Sequence, residues 1–124
     1  MNNVLVIDDD DSIRRILRVF LVSSGYAVAV ANNGENGIVL FDKHEFDIVI
    51  TDIRMPLMDG NQVAEHIRKS DKSDTPIVAI TGYPDEVRRE MFDFMIVKPF
   101  ILKDLPRIIE SVVGRRTDDS DPLQ

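Results

Sequence analysis

Apolar residues along this chain fall into two alternating rhythms. Short unbroken runs at residues 4–7, 27–31, 48–50, 77–80 and 95–97 are rich in Val, Ile and Ala, the pattern of strands buried on both faces. Between them apolar side chains recur at helical spacing: Ile13, Ile16, Leu17, Phe20 and Leu21; Ile38, Leu40 and Phe41; Val63, Ala64 and Ile67; Leu105, Ile108, Ile109, Val112 and Val113. Asp11 or Ser12 is expected to cap the first helix, and Gly25 and Gly114 to end the first and last. Pro106 belongs in a first turn, where its missing N–H costs nothing. A short polar helix is expected after Pro84. Strand–helix alternation of this length predicts an α/β fold, a doubly wound five-stranded parallel sheet with helices on both faces. Residues 1–114 read as one domain. Residues 115–124 lose the periodicity and read as a disordered tail or the start of a linker.

Open parallel sheets bind ligands beyond the carboxyl ends of their strands. Here those ends are reactive. The first strand runs into Asp8, Asp9, Asp10 and Asp11, the third into Asp52, the fourth into Thr81 and the fifth into Lys98. A single acid after a strand is ordinarily a cap or turn residue. Acids, a hydroxyl and a lysine on one edge ask for another explanation. Gathered carboxylates repel unless a cation compensates. Oxygen ligands without Cys or His suit Mg²⁺, which one or two carboxylates, waters and a phosphate oxygen commonly hold. Lys98 can pair with a carboxylate in the resting site and with a phosphoryl oxygen in the occupied one, and Thr81 can donate to another. These parts suit phosphoryl transfer, where catalysis is mainly positioning and charge compensation.

Composition narrows the field. Of the 124 residues none is Cys, which excludes disulfides, zinc-thiolate sites and a cysteine nucleophile. The net charge of −7 argues against sequence-independent nucleic-acid binding. The longest apolar run, residues 26–31, is far too short to span a membrane, and no basic segment precedes the first apolar run as in a signal peptide. A cytoplasmic protein is expected. His44 and His66 read as solvated helix residues, and the five Met as core or loop filler.

The segments Val-Leu-Val-Ile-Asp-Asp-Asp at 4–10, Asp-Ile-Val-Ile-Thr-Asp-Ile-Arg-Met-Pro at 47–56, Met-Asp-Gly at 58–60, Ala-Ile-Thr-Gly at 79–82 and Val-Lys-Pro-Phe at 97–100 closely resemble the response-regulator receiver family of two-component signalling. The match covers about residues 3–113. The resemblance implies a flavodoxin-like sheet of order 2-1-3-4-5. It implies that Asp52 is the phosphoacceptor and that Asp8 and Asp9 position Mg²⁺, with Asp9 the more direct ligand. The Arg54 backbone carbonyl would be a further ligand, Thr81 the switch hydroxyl, and Lys98 the lysine whose peptide to Pro99 is cis. The partner implied is a histidine kinase or phosphotransfer protein, with a homodimer or effector contact on the face of the fourth helix, fifth strand and fifth helix. Direct nucleic-acid or membrane contact is not expected. Self-catalysed phosphorylation and dephosphorylation would be the only enzymatic activity.

The chain departs from the family pattern in two places. Only seventeen positions separate Thr81 from Lys98, so the fourth helix should be shortened or irregular, and the usual Gly-Ala step before the fifth strand is missing. Three residues before the lysine, where the family carries a Tyr or Phe whose rotamer reports phosphorylation, stands Met95. Phe92 and Phe94 lie close by. Residues 84–94 are therefore expected to be the most mobile part of the domain and a partner surface, unless Phe92 and Phe94 fold under the sheet edge. Other readings are a phosphorylation-independent interaction module, a haloacid-dehalogenase-like phosphatase with Asp8 as nucleophile, and a flavodoxin-like electron carrier. The phosphatase needs a further acidic pair after Lys98 and usually a cap domain. The electron carrier needs phosphate donors where this chain has four acids.

Overall fold

A computed structural model describes residues 2–119, and side chains through residue 114. The apolar runs form β1 (Asn3–Ile7), β2 (Ala27–Ala31), β3 (Ile48–Asp52), β4 (Ile77–Thr81) and β5 (Phe94–Val97), all parallel, in the order β2-β1-β3-β4-β5. The helices are α1 (Asp11–Ser23), α2 (Gly34–Lys43), α3 (Gly60–Arg68) and α4 (Leu105–Asp119).

Alternate residues of the central strands feed opposite faces of the sheet. Val4, Val6, Ile48, Ile50, Val78, Ile80 and Ile96 pack with Leu17 and Leu21 of α1 and Leu105, Ile109 and Val112 of α4. Leu5, Ile7, Val49 and Ile77 pack with Phe41 of α2 and Val63, Ala64 and Ile67 of α3. Strands covered on both faces need continuous apolar runs, which is why these strands read as they do.

Three local expectations are corrected. Asp10, not Asp11 or Ser12, caps α1; its Oδ1 accepts the amides of Ser12 (2.9 Å) and Ile13 (3.1 Å), while Asp11 starts the helix and pairs with Arg14. Any of the acids could cap, and the helix start decides which one does. The last helix continues through Gly114 to Asp119. A glycine inside a helix costs only about 1 kcal/mol relative to Ala, so it ends a helix only where a positive φ is adopted, as Gly25 does after α1 with φ 99°. Residues 120–124 of the expected tail lie outside the described residues. His66 is not simply solvated: its Nε2 lies 2.9 Å from Asp42 Oδ1, joining α3 to α2, and His44 follows the end of α2.

The helix expected between β4 and β5 does not form. Between β4 and β5 run two single 3-10 turns, Pro84–Glu86 and Arg89–Met91. This strap is tied to α3. The buried carboxamide of Asn61 donates to Glu86 O (2.7 Å) and accepts from the Arg88 amide (2.9 Å). Arg68 donates to Met91 O, Ser73 O, Thr75 O and Asp93 Oδ2 at 2.7–3.0 Å, and Asp93 Oδ2 also accepts the Ile77 amide. Val87, Ile53 and Ala79 form a small core with Phe92 and Met95 beneath it. Of the apolar cluster noted in the sequence, Phe92 folds under and Phe94 stays exposed. The segment expected to be mobile thus has side-chain partners along its length.

Candidate functional site

The sheet order places the ends of β1, β3, β4 and β5 along one edge. β1 and β3 are neighbours there, with Ile7 opposite Thr51, so Asp8 and Asp52 face each other one residue further on. Asp8, Asp9 and Asp52 each offer a carboxylate oxygen within 4.8 Å of the others. Lys98, one residue past the end of β5, reaches back across the end of β4 and sets its Nζ 3.3 Å from Asp52 Oδ2. The other Asp52 oxygen accepts the Ile53 amide at 2.7 Å. The peptide from Lys98 to Pro99 is cis, as the resemblance implied.

The three acids differ in setting. Asp8 is 2% exposed, Asp9 is exposed and Asp52 lies between. Burial pushes the Asp8 carboxyl up to about 6; the Asp10 amide, 2.9 Å from its Oδ1, works against this, and the charges of Asp52 and Asp9 work with it. A cation in the cluster would relieve that strain. The donor set is all oxygen, hard, and close enough to converge on one small ion, which fits Mg²⁺ and offers nothing to a thiophilic metal.

Thr81 is fully buried at the end of β4, and its Oγ1 accepts the Tyr83 amide at 2.8 Å. Of the residues picked out in the sequence, Asp8, Asp9, Asp52 and Lys98 come into one cluster. Thr81 stands at the same edge, bonded to its own loop. The Arg54 side chain turns to the strap: its guanidinium makes a bidentate pair with Glu86 (Nε–Oε1 2.9 Å, Nη2–Oε2 2.6 Å) and stacks 3.5 Å over the Tyr83 ring.

The loop from β3 to α3 is held by features the sequence reading left unused. Leu57 sits at φ 72°, nearly fully exposed, in a three-residue turn closed by the Met58 amide on Pro56 O (2.8 Å). The chain then enters α3 at Gly60, whose amide donates to Ile53 O at 2.8 Å. Asp59 caps α3 reciprocally with Gln62, each side chain accepting the other's amide. A Gly directly after a capping Asp was the available signal for this close approach.

Comparison with known proteins agrees with this geometry. The family described as response regulator receiver domain matches residues 4–110. A probable transcriptional regulator ycf27 of Guillardia theta is 42% identical over 117 residues, covering 90% of this chain and 45% of the relative. The regulatory protein AtoC of Escherichia coli (strain K12) is 34% identical, covering 89% of this chain and 25% of its own length. The chain thus spans about half or less of these curated relatives. Among solved structures, the response regulator protein TrrA of Thermotoga maritima in complex with Mg²⁺ and BeF is 34% identical with a TM-score of 0.83, covering 90% of this chain and 99% of that one.

This chain belongs to the response regulator receiver family. It is a receiver domain of two-component signalling, and its acidic pocket of Asp8, Asp9 and Asp52 fits Mg²⁺. Among the described residues, no helix is long and apolar enough to cross a membrane.

Proposed function

We propose that Asp52 is the residue phosphorylated, with a histidine kinase or phosphotransfer protein in the cytoplasm as donor. A carboxylate oxygen of Asp52 attacks the phosphorus of a phosphohistidine. The P–N bond breaks, its electron pair stays on the imidazole nitrogen, and an acyl phosphate forms. In a separate hydrolytic step water attacks phosphorus, the P–O bond to Asp52 breaks with its electron pair staying on the carboxylate, and inorganic phosphate leaves. Asp8, Asp9, Asp52 and the backbone carbonyl of Arg54 would hold Mg²⁺, which when bound offsets charge on the phosphoryl oxygens. Lys98 moves from Asp52 to a phosphoryl oxygen and compensates the same charge from the other side. The Thr81 hydroxyl donates to a third oxygen.

The observation that carries this reading is the 3.3 Å contact between Lys98 Nζ and Asp52 Oδ2 beside two further carboxylates. A structure of the histidine kinase ThkA in complex with TrrA, the latter 34% identical to this chain with a TM-score of 0.79, supports a kinase as the partner. We assign output contacts, to a second copy or an effector, to the face of β5 and α4. There Phe94, Val97 and Ile101 are exposed around a depression of about 250 Å³.

The test is incubation with acetyl phosphate, with and without Mg²⁺, followed by mass analysis. One phosphoryl group should appear on the wild type with Mg²⁺ and none on Asp52→Ala. Uptake by Asp52→Ala on Asp8 would favour phosphatase-like chemistry. No uptake by the wild type would favour a phosphorylation-independent interaction module.

A further inference from the structure

Met95 occupies the position of the family's reporting aromatic, yet it packs with Ile53, Ala79, Val87 and Phe92 and carries no polar tip to exchange partners. Phe94, the residue before it, belongs to the opposite face of the sheet by strand alternation. Neither side chain offers a polar contact that could be exchanged between the acceptor edge and the strap.

Another route is present. Thr81 Oγ1 accepts the Tyr83 amide at 2.8 Å. The Tyr83 ring lies under the Arg54 guanidinium at 3.5 Å. Arg54 grips both carboxylate oxygens of Glu86, which closes the first 3-10 turn of the strap. The Glu86 carbonyl is held by Asn61 Nδ2, and Asn61 Oδ1 holds the Arg88 amide. The path starts at the hydroxyl on the acceptor's edge of the sheet and ends in the main chain of the strap, and every contact after the first joins residues at least 25 positions apart.

Resting on the assignment of Asp52 and Thr81 above, we infer that Tyr83, Arg54 and Glu86 form the relay through which phosphorylation reaches the strap. Two changes act on it together. A Thr81 hydroxyl turned toward a phosphoryl oxygen reorients the lone pair that holds the Tyr83 amide. A phosphoryl group on Asp52 also places about −1.5 to −2 charge two residues from Arg54. The guanidinium fork matches phosphate oxygens as well as it matches a carboxylate. The Arg54–Glu86 pair is solvent-exposed on both sides, and exposed pairs are weak enough to be exchanged. Once Arg54 leaves, Glu86 loses its side-chain tether, and the first turn keeps its own main-chain bonds and the bond from Asn61 to the Glu86 carbonyl.

Amide hydrogen exchange on the full chain tests this, with Mg²⁺ and beryllofluoride as the phosphoryl mimic and acetyl phosphate uptake measured in parallel. In the wild type the mimic should speed exchange in residues 82–91 by about tenfold or more. In Glu86→Gln the same residues should exchange fast without the mimic and change little on adding it. In Tyr83→Leu the mimic should no longer alter the strap. Both variants should still take up one phosphoryl group. Normal wild-type uptake with unchanged exchange in 82–91, or two variants that respond as the wild type does, overturns the relay and leaves the acceptor assignment standing. Loss of uptake by the wild type itself would instead remove that assignment.

Discussion

Gly60 backs onto the main chain of Asp52: a Cβ at Gly60 would lie 2.2 Å from the Asp52 carbonyl oxygen and 3.0 Å from the Ile53 α-carbon. Both neighbours are backbone, so neither can rotate away. Gly60→Ala must push α3 off the end of β3, which should cost about 2–3 kcal/mol, as overpacking does. The displaced carbonyl belongs to the proposed acceptor, so Mg²⁺ affinity should fall with stability. Urea denaturation and a Mg²⁺ titration read the two effects. A variant as stable as the wild type would show that the loop yields more easily than its bonds suggest.

Lys98 should separate two functions. Its ammonium stands 3.3 Å from a carboxylate that also belongs to the Mg²⁺ pocket, so it opposes the metal while favouring phosphoryl transfer. Lys98→Met should tighten Mg²⁺ binding a few-fold and slow phosphorylation by acetyl phosphate by ~10²-fold. If metal affinity and transfer rate fell together, the lysine would be holding the site's shape rather than supplying charge.

The positions of Asp8, Asp9, Asp52, Thr81 and Lys98 were legible because each lies one or two residues past an apolar run, and a parallel sheet sends all such ends to one edge. The roles of Asn61 and Arg68 were not. On an amphipathic helix a polar residue reads as solvated, and their partners Glu86, Arg88, Met91 and Asp93 lie more than twenty residues away. Arg54 drew attention only for its carbonyl, since nothing local marks Glu86 as the partner of its side chain. The shortened connection was countable from Thr81 to Lys98. Its replacement by two 3-10 turns depends on tertiary bonds that no local pattern encodes.

Stability without Mg²⁺ should depend on pH through Asp8. Its folded-state pKa is raised from 3.8 to about 6, mainly by burial. Between those values the folded chain holds a proton that the unfolded chain has lost. Stability therefore falls as pH rises through the window and levels off above about 6, by roughly 3 kcal/mol in all. Asp8→Asn should be flatter across this range and more stable than the wild type at neutral pH. Mg²⁺ should stabilise the wild type more above the window than below it, because a proton and the cation compete for the same carboxylate. Urea midpoints at several pH values, with and without Mg²⁺, check the sign. A wild type that gains stability from pH 4 to 6 would contradict it.

Arg68 serves three carbonyls and one carboxylate with a single side chain. Arg68→Leu keeps the stem but removes those donors, and should cost about 2–4 kcal/mol for partly buried acceptors left without them. Arg68→Lys should recover only part of this, since one ammonium cannot span the same fork. Thermal or urea unfolding of the pair measures the difference.

The strap also bears on the order of events during folding. A helix can form its own i to i+4 bonds before its neighbours arrive, but two isolated 3-10 turns have almost none to form. The anchors of this segment, Asn61 and Arg68, are side chains of α3, and Val87 packs on Ile53, just past β3, and on Ala79 of β4. The segment can gain its native contacts only after β3, α3 and β4 are assembled, so it should be unstructured in the transition state. Val87→Ala should leave the folding rate nearly unchanged and speed unfolding by almost the full loss of stability, a φ-value near zero. Val49→Ala, at the centre of the sheet, should slow folding instead.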